Sequence, residues 1–250
     1  NQIVGPAIVG VLLEIEITIA FFVIAGLHVV SVAFSTRLPQ GAPEQQESRG
    51  IAGELAHGVR YVAGHRVLRI IVMLSVFATI LVHPYPSLMP VFQKDVLMVG
   101  ESALGLMFAT VGTGALVSSL LVATFAQWST RSLSQLWAGL VFGGAVAGFA
   151  LSPAYPISLI ALFVAGASAQ VFSVSNSTQM MLHADPTMYG RVAGLHIWIR
   201  ALMSLSLLGF GASIDVFGAP ATVATGAGVF IACVARQLRY LLVFAHQRPK

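Results

Sequence analysis

The chain is cut into apolar runs about long enough to cross a bilayer, joined by connections of only a few residues. A spanning helix needs about 20 mostly apolar residues for a hydrocarbon core of roughly 30 Å. Runs of about that length occur at 17–36, 68–91, 102–126, 134–152, 156–182, 190–213 and 219–241. A shorter run at 1–13 reads as the tail of a further span, closed by Glu14 and Glu16. Only 9% of residues are charged and 57% are hydrophobic, against roughly 25% charged in a soluble domain. Such a chain cannot cover a water-facing surface, but lipid solvates it without one, provided every spanning backbone satisfies its own hydrogen bonds. The expected fold is therefore all-α, a polytopic transmembrane helical bundle of about seven full spans plus a stub. Asn1 stands where an initiator Met would be and leads into an apolar segment with no basic region or cleavage site, so no signal peptide is expected. The sequence reads as a fragment whose native chain continues upstream.

One long polar stretch, 37–67, interrupts the runs. Its first part, RLPQGAPEQQESRG, has the composition of a flexible linker. In its second part Ile51, Leu55, Val59 and Val62 recur at helical spacing, which predicts a short helix on the membrane surface. Alternate connections lie on opposite sides of a bilayer. Arg37, Arg49, Arg60, Arg66, Arg69, Arg131, Arg191, Arg236, Arg239, Arg248 and Lys250 fall on one side, and only Lys94 on the other. By the positive-inside rule the first side is cytoplasmic, as is the C-terminus. The formal charge of +4 thus reflects topology, and no nucleic-acid partner is expected. The expected partner is the lipid bilayer.

Several residues are out of place in hydrocarbon. Arg200 lies nine positions past Arg191, roughly 13 Å into its span. A central arginine costs about 2.5–3.5 kcal/mol on insertion scales, so it should face the bundle interior or water, or snorkel to the interface. Facing a cavity, it would attract anionic or carboxylate-bearing groups. His28 sits mid-span, as a packing residue or a substrate contact. His83, fifteen residues into the run 68–91, is roughly 22 Å up and reads as interfacial. It opens a segment with Pro84, Pro86 and Pro90, each of which lacks a backbone donor. Either the helix ends at Pro84 and a loop follows, or it continues as a kinked, cavity-lining helix. Gln170, Ser173 and Ser177 share one face of the run 156–182, and Asn176 and Gln179 another; they are interhelical glue or part of a substrate pathway. Gly139, Gly143, Gly144 and Gly148, with Gly105, Gly112 and Gly114 in the preceding run, mark close helix contacts. Cys233 is a lone apolar filler. No phosphate-binding loop, metal-ligating cluster, paired carboxylates or protease arrangement occurs, so neither a cofactor, a metal nor an enzymatic activity is expected.

Three stretches together resemble the major facilitator superfamily of transporters, and within it the transmembrane secretion effector, enterobactin exporter-like branch. "IVGPAIVGVLL" with "AFFVIAGLHVVSVAF" resembles the end of that family's fifth helix and its sixth. "HGVRYVAGHRVLRIIVML", running on into "SLMPVFQKDVL", is similar to its surface helix and seventh helix. "SNSTQMMLHADPTMYGRVAGL" is similar to the end of helix ten, a short loop and the start of helix eleven. Arg66 departs from the family's usual proline, and Ile24 and Leu27 from its polar residues in helix six. The resemblance implies a twelve-helix transporter of two six-helix halves. Residues 1–36 would be the end of the N-terminal half (end of helix 5 and helix 6), 37–67 a cytoplasmic linker with a surface helix, and 68–250 the C-terminal six-helix half. It further implies secondary active export of a small molecule across a bacterial cytoplasmic membrane by alternating access, possible proton antiport, and the rest of the N-terminal half as a partner. The sequence leaves two other readings open: a non-transporting membrane scaffold or partner subunit, and the permease subunit of an ATP-driven transporter.

Overall fold

The computed structural model describes residues 17–36, 50–124 and 132–246. Within them the ordered elements are helical: α1 (Ile17–Ser35), α2 (Gly50–Gly64), α3 (Arg66–Leu81), α4 (Tyr85–Val91), a π-helical segment (Phe92–Val96), α5 (Glu101–Thr124), α6 (Ser132–Leu151), α7 (Tyr155–His183), a 3-10 turn (Pro186–Met188), α8 (Tyr189–Phe217) and α9 (Ala219–His246). Among the described residues six stretches are long and apolar enough to cross a membrane: Arg66–Val96, Glu101–Thr124, Leu133–Leu151, Tyr155–His183, Pro186–Phe217 and Ala219–Arg239. The run expected at 17–36 forms α1, on which Phe22, Val29, Val32 and Phe34 are exposed. The stub at 1–13, the linker stretch 37–49 and the cations Arg37, Arg49, Arg131, Arg248 and Lys250 lie outside the described residues.

The prolines break the first of these spans without ending it. The His83 amide donates to the Ala78 carbonyl rather than to Thr79, and Pro84 has no amide to offer Ile80. After a turn at 82–84 the helix resumes, and the Leu97 amide closes the π segment onto the Phe92 carbonyl at 2.8 Å. A loop after Pro84 is thus replaced by a helix interrupted near its middle. The backbone left bare at the break is covered by α9: a Cβ on Gly226 would stand 2.7 Å from the Leu81 carbonyl oxygen.

Helices in lipid associate through close packing more than through a hydrophobic driving force, and small residues set the approach here. Gly114 of α5 lies against the Phe163 carbonyl of α7, and Gly166 of α7 against the Val111 carbonyl of α5, with no room for a side chain at either. Gly139 and Gly143 face Val234, Phe230 and Ile231 of α9, whereas Gly105, Gly144 and Gly148 face open space. One large core fills the space between α4, α6, α7 and α9, where the Phe142 ring meets those of Tyr85 and Phe230, and Phe172 meets Phe230. A second, smaller core joins Leu68, Ile71 and Val72 of α3 to Met180 of α7 and to Val192, Leu195 and Ile199 of α8.

Helix α2, expected on the membrane surface, packs on this second core by a different stripe from the one expected. Val62 is buried and Leu55 half-buried against it, but Val59 points outward. Gly58 takes the inner position, facing the Arg191 carbonyl with 3.4 Å to an added Cβ. The Ile51 and Glu54 side chains lie outside the described residues.

Candidate functional site

Between α3, the start of α4, α7 and α8 lies a cavity of about 380 Å³. One wall is built from Ser75 and Thr79, four residues apart on one face of α3, and from His83 in the turn that follows it. His196, Arg200 and Met203 form the α8 wall by the same spacing rule, and Phe172, Ser173 and Asn176 the α7 wall. Pro86 lines it just beyond the break.

Two of these side chains hold the walls together. Asn176, buried, accepts a hydrogen bond from the Ser75 hydroxyl at 2.7 Å and donates through Nδ2 to the Ile71 carbonyl at 3.2 Å. Both bonds bind α7 to α3, so the polar residue acts as glue and wall at once. The His83 ring stands tilted on Phe142, centroids 5.2 Å apart. His196 Nδ1 is buried and has no hydrogen-bond partner in the structure, an arrangement uncommon in folded proteins.

Among the described residues the ionisable groups lining the cavity are one guanidinium and two imidazoles, and no carboxylate lines it. Among the described residues no group of three or more His, Cys, Asp and Glu side chains is suited to a metal. Chemically the cavity is a donor-rich, partly aromatic space, fitted to hold an anionic group without reacting with it.

The sequence-based candidates divide. His83, Arg200, Asn176 and Pro86 come together at the cavity. Gln179 is buried one turn past Asn176, and Gln170 is half-buried one turn before Ser173; neither lines it. Ser173 and Asn176, read from the sequence as occupying different faces, share the cavity wall. His28 is exposed on α1, and Pro84 is buried at the break. The helical stretch runs on to Val96, so thirteen residues follow His83 instead of the eight expected. Ser75, Thr79 and His196 were not singled out from the sequence. Their signal was there in spacing: 75, 79 and 83 repeat every four residues, and 196 precedes Arg200 by four.

No curated protein matches the chain. The sequence profile of the Major Facilitator Superfamily does, over residues 2–207 of the 250. Apolar helices able to cross a membrane, several closely packed through glycines, and a cavity among three of them that polar side chains help to line are in keeping with a carrier of that kind, and the match covers most of the chain. The protein is a multi-pass membrane protein belonging to the Major Facilitator Superfamily, whose members are transporters rather than enzymes.

Proposed function

We propose that the protein is a secondary active exporter of a small molecule that carries a carboxylate or another anionic group. The observation that carries this reading is the cavity lined by Arg200, His83 and His196, with no acidic residue among the described residues that line it. A permanent charge inside a span is costly unless it has work to do there, and a low-dielectric wall strengthens its attraction for an anion. Alternating access would expose the cavity to each side in turn, driven by a gradient and in particular by proton antiport. The soft sequence likeness to the transmembrane secretion effector branch supports export over import.

In this reading residues 68–250 form the C-terminal six-helix half and 37–67 the cytoplasmic linker. Residues 1–36 end the N-terminal half, which closes the cavity from the other side. The membrane is the bacterial inner membrane, with the C-terminus in the cytoplasm, in keeping with the charge bias. Arg200 holds the anion, while Asn176 and Ser75 fix the wall; Gln170, Gln179 and His28 are assigned secondary places along the pathway.

The test is uptake into everted membrane vesicles carrying the full-length transporter, with carboxyfluorescein as the anionic probe and ethidium as the cationic one. Arg200→Ala should reduce carboxyfluorescein uptake at least about tenfold, the scale of one lost charged hydrogen bond, and Arg200→Lys should recover part of it. Equal uptake by wild type and Arg200→Ala would overturn the assignment. Preference for ethidium would overturn the substrate class.

A further inference from the structure

A second cleft, of about 550 Å³, opens between α3 and α9 at the arginine-rich end of the bundle. Arg66, Arg69 and Arg236 line it together with Ile70, Met73 and Phe77. Its polarity is graded. Along α3 the two arginines come first and the apolar residues follow, as far as Phe77, eleven positions on and roughly 16 Å deeper. On α9, which runs the opposite way, Arg236 comes after Cys233, so its charge lies at the same end as the other two.

Three arginines line the cleft, and among the described residues no Asp or Glu does. Arg69 gives one donor to the Ala63 carbonyl at 3.3 Å, which leaves most of its five N–H groups for other acceptors. Below the charges the wall is apolar but incompletely covered: Met73 is 47% exposed. A free anion would use only the rim, and a neutral apolar molecule only the depth. A molecule that uses both has a phosphate head and a hydrocarbon tail. We propose that this cleft is a binding site for an anionic phospholipid, its phosphate held by Arg66, Arg69 and Arg236 and its first acyl segment laid along Ile70, Met73 and Phe77. Basic pockets between spanning helices bind anionic headgroups in this manner, and a guanidinium suits a phosphate better than an ammonium does.

The full chain, purified in a neutral detergent, is titrated with phosphatidylglycerol and with phosphatidylcholine of the same acyl chains, and retained lipid is counted by native mass spectrometry. Phosphatidylglycerol should be retained about tenfold more tightly. Arg69→Gln and Arg236→Gln should each weaken it about fivefold, the value of one arginine near an anionic lipid. Arg239→Gln, one turn beyond the cleft, should leave retention unchanged. Glycerol phosphate at equal concentration should not displace the lipid. The proposal is overturned by equal retention of the two lipids, or by an Arg239→Gln loss as large as that of Arg236→Gln, which would mean a diffuse surface charge. Displacement by glycerol phosphate would overturn it too, since the apolar wall would then contribute nothing. Arg236 is exposed, so its variant keeps the comparison valid should Arg69→Gln fail to fold.

Discussion

Asp185 organises the entry to α8 with one carboxylate oxygen. Its Oδ1 accepts from the Thr187 hydroxyl at 2.7 Å and from the Thr187 amide at 3.0 Å, while its own amide donates to the Tyr61 hydroxyl at 2.9 Å. These bonds, the Thr187 hydroxyl foremost and the Thr187 amide next, hold the carboxyl below the usual aspartate range, with a smaller contribution from His65. A folded-state value below the unfolded one stabilises the fold at pH above the unfolded value, about 3.9, and the stabilisation is lost as pH falls through the lowered value. Asp185→Ala should therefore unfold at a lower temperature than wild type at pH 7, and the gap should shrink as pH falls below the ordinary aspartate value and through the lowered one. A gap that persists in acid would mean that the carboxylate charge is not what matters. At this same scale the sequence disclosed Arg200, because one charge in hydrocarbon is conspicuous by itself. It disclosed Ser75, Thr79 and His196 less readily, since hydroxyls and a neutral imidazole are tolerated singly in a span and gain meaning only when three helices bring them together.

At the scale of the helix, the positions of the spans were legible from apolar length alone, and the structure moves most of their ends by only a few residues. The continuation past Pro84 was not legible. Proline rules state which amide is lost, but not whether another helix covers the carbonyls left behind, and here Gly226 of α9 lets that happen. The glycines make the same point. A four-residue interval marks a small face on a helix, but Gly139 and Gly143 meet a neighbour while Gly144 and Gly148 do not. Gly166→Leu should abolish folding, because the Val111 carbonyl occupies the space the side chain needs, and Gly226→Val should cost about 1–3 kcal/mol by overpacking. Gly144→Ala and Gly148→Ala should be neutral, or should stabilise by up to about 1 kcal/mol through helix propensity. Thermal unfolding of the four variants in one detergent separates these groups. Similar losses in all four would show that the helices are not spaced by these contacts.

At the scale of the molecule, charge and helix count make one topology, and it can be read from single cysteines. Cys233 is the only cysteine in the sequence, so Cys233→Ser gives a blank background. In intact cells a membrane-impermeant maleimide should label Lys94→Cys and should leave Arg60→Cys unlabelled until the membrane is opened. The opposite pattern would invert the protein. The second core then takes on an electrical meaning. Leu68, Ile71 and Val72 precede the cavity residues of α3, Val192 and Leu195 precede His196 and Arg200 on α8, and Met180 follows Asn176 on α7. These side chains lie between the polar cavity and the arginine-rich end, packed tightly enough to leave Leu68 and Val192 fully buried. Across a membrane that holds a potential, such a layer would act as an insulator, because its apolar side chains give protons no groups to hop along.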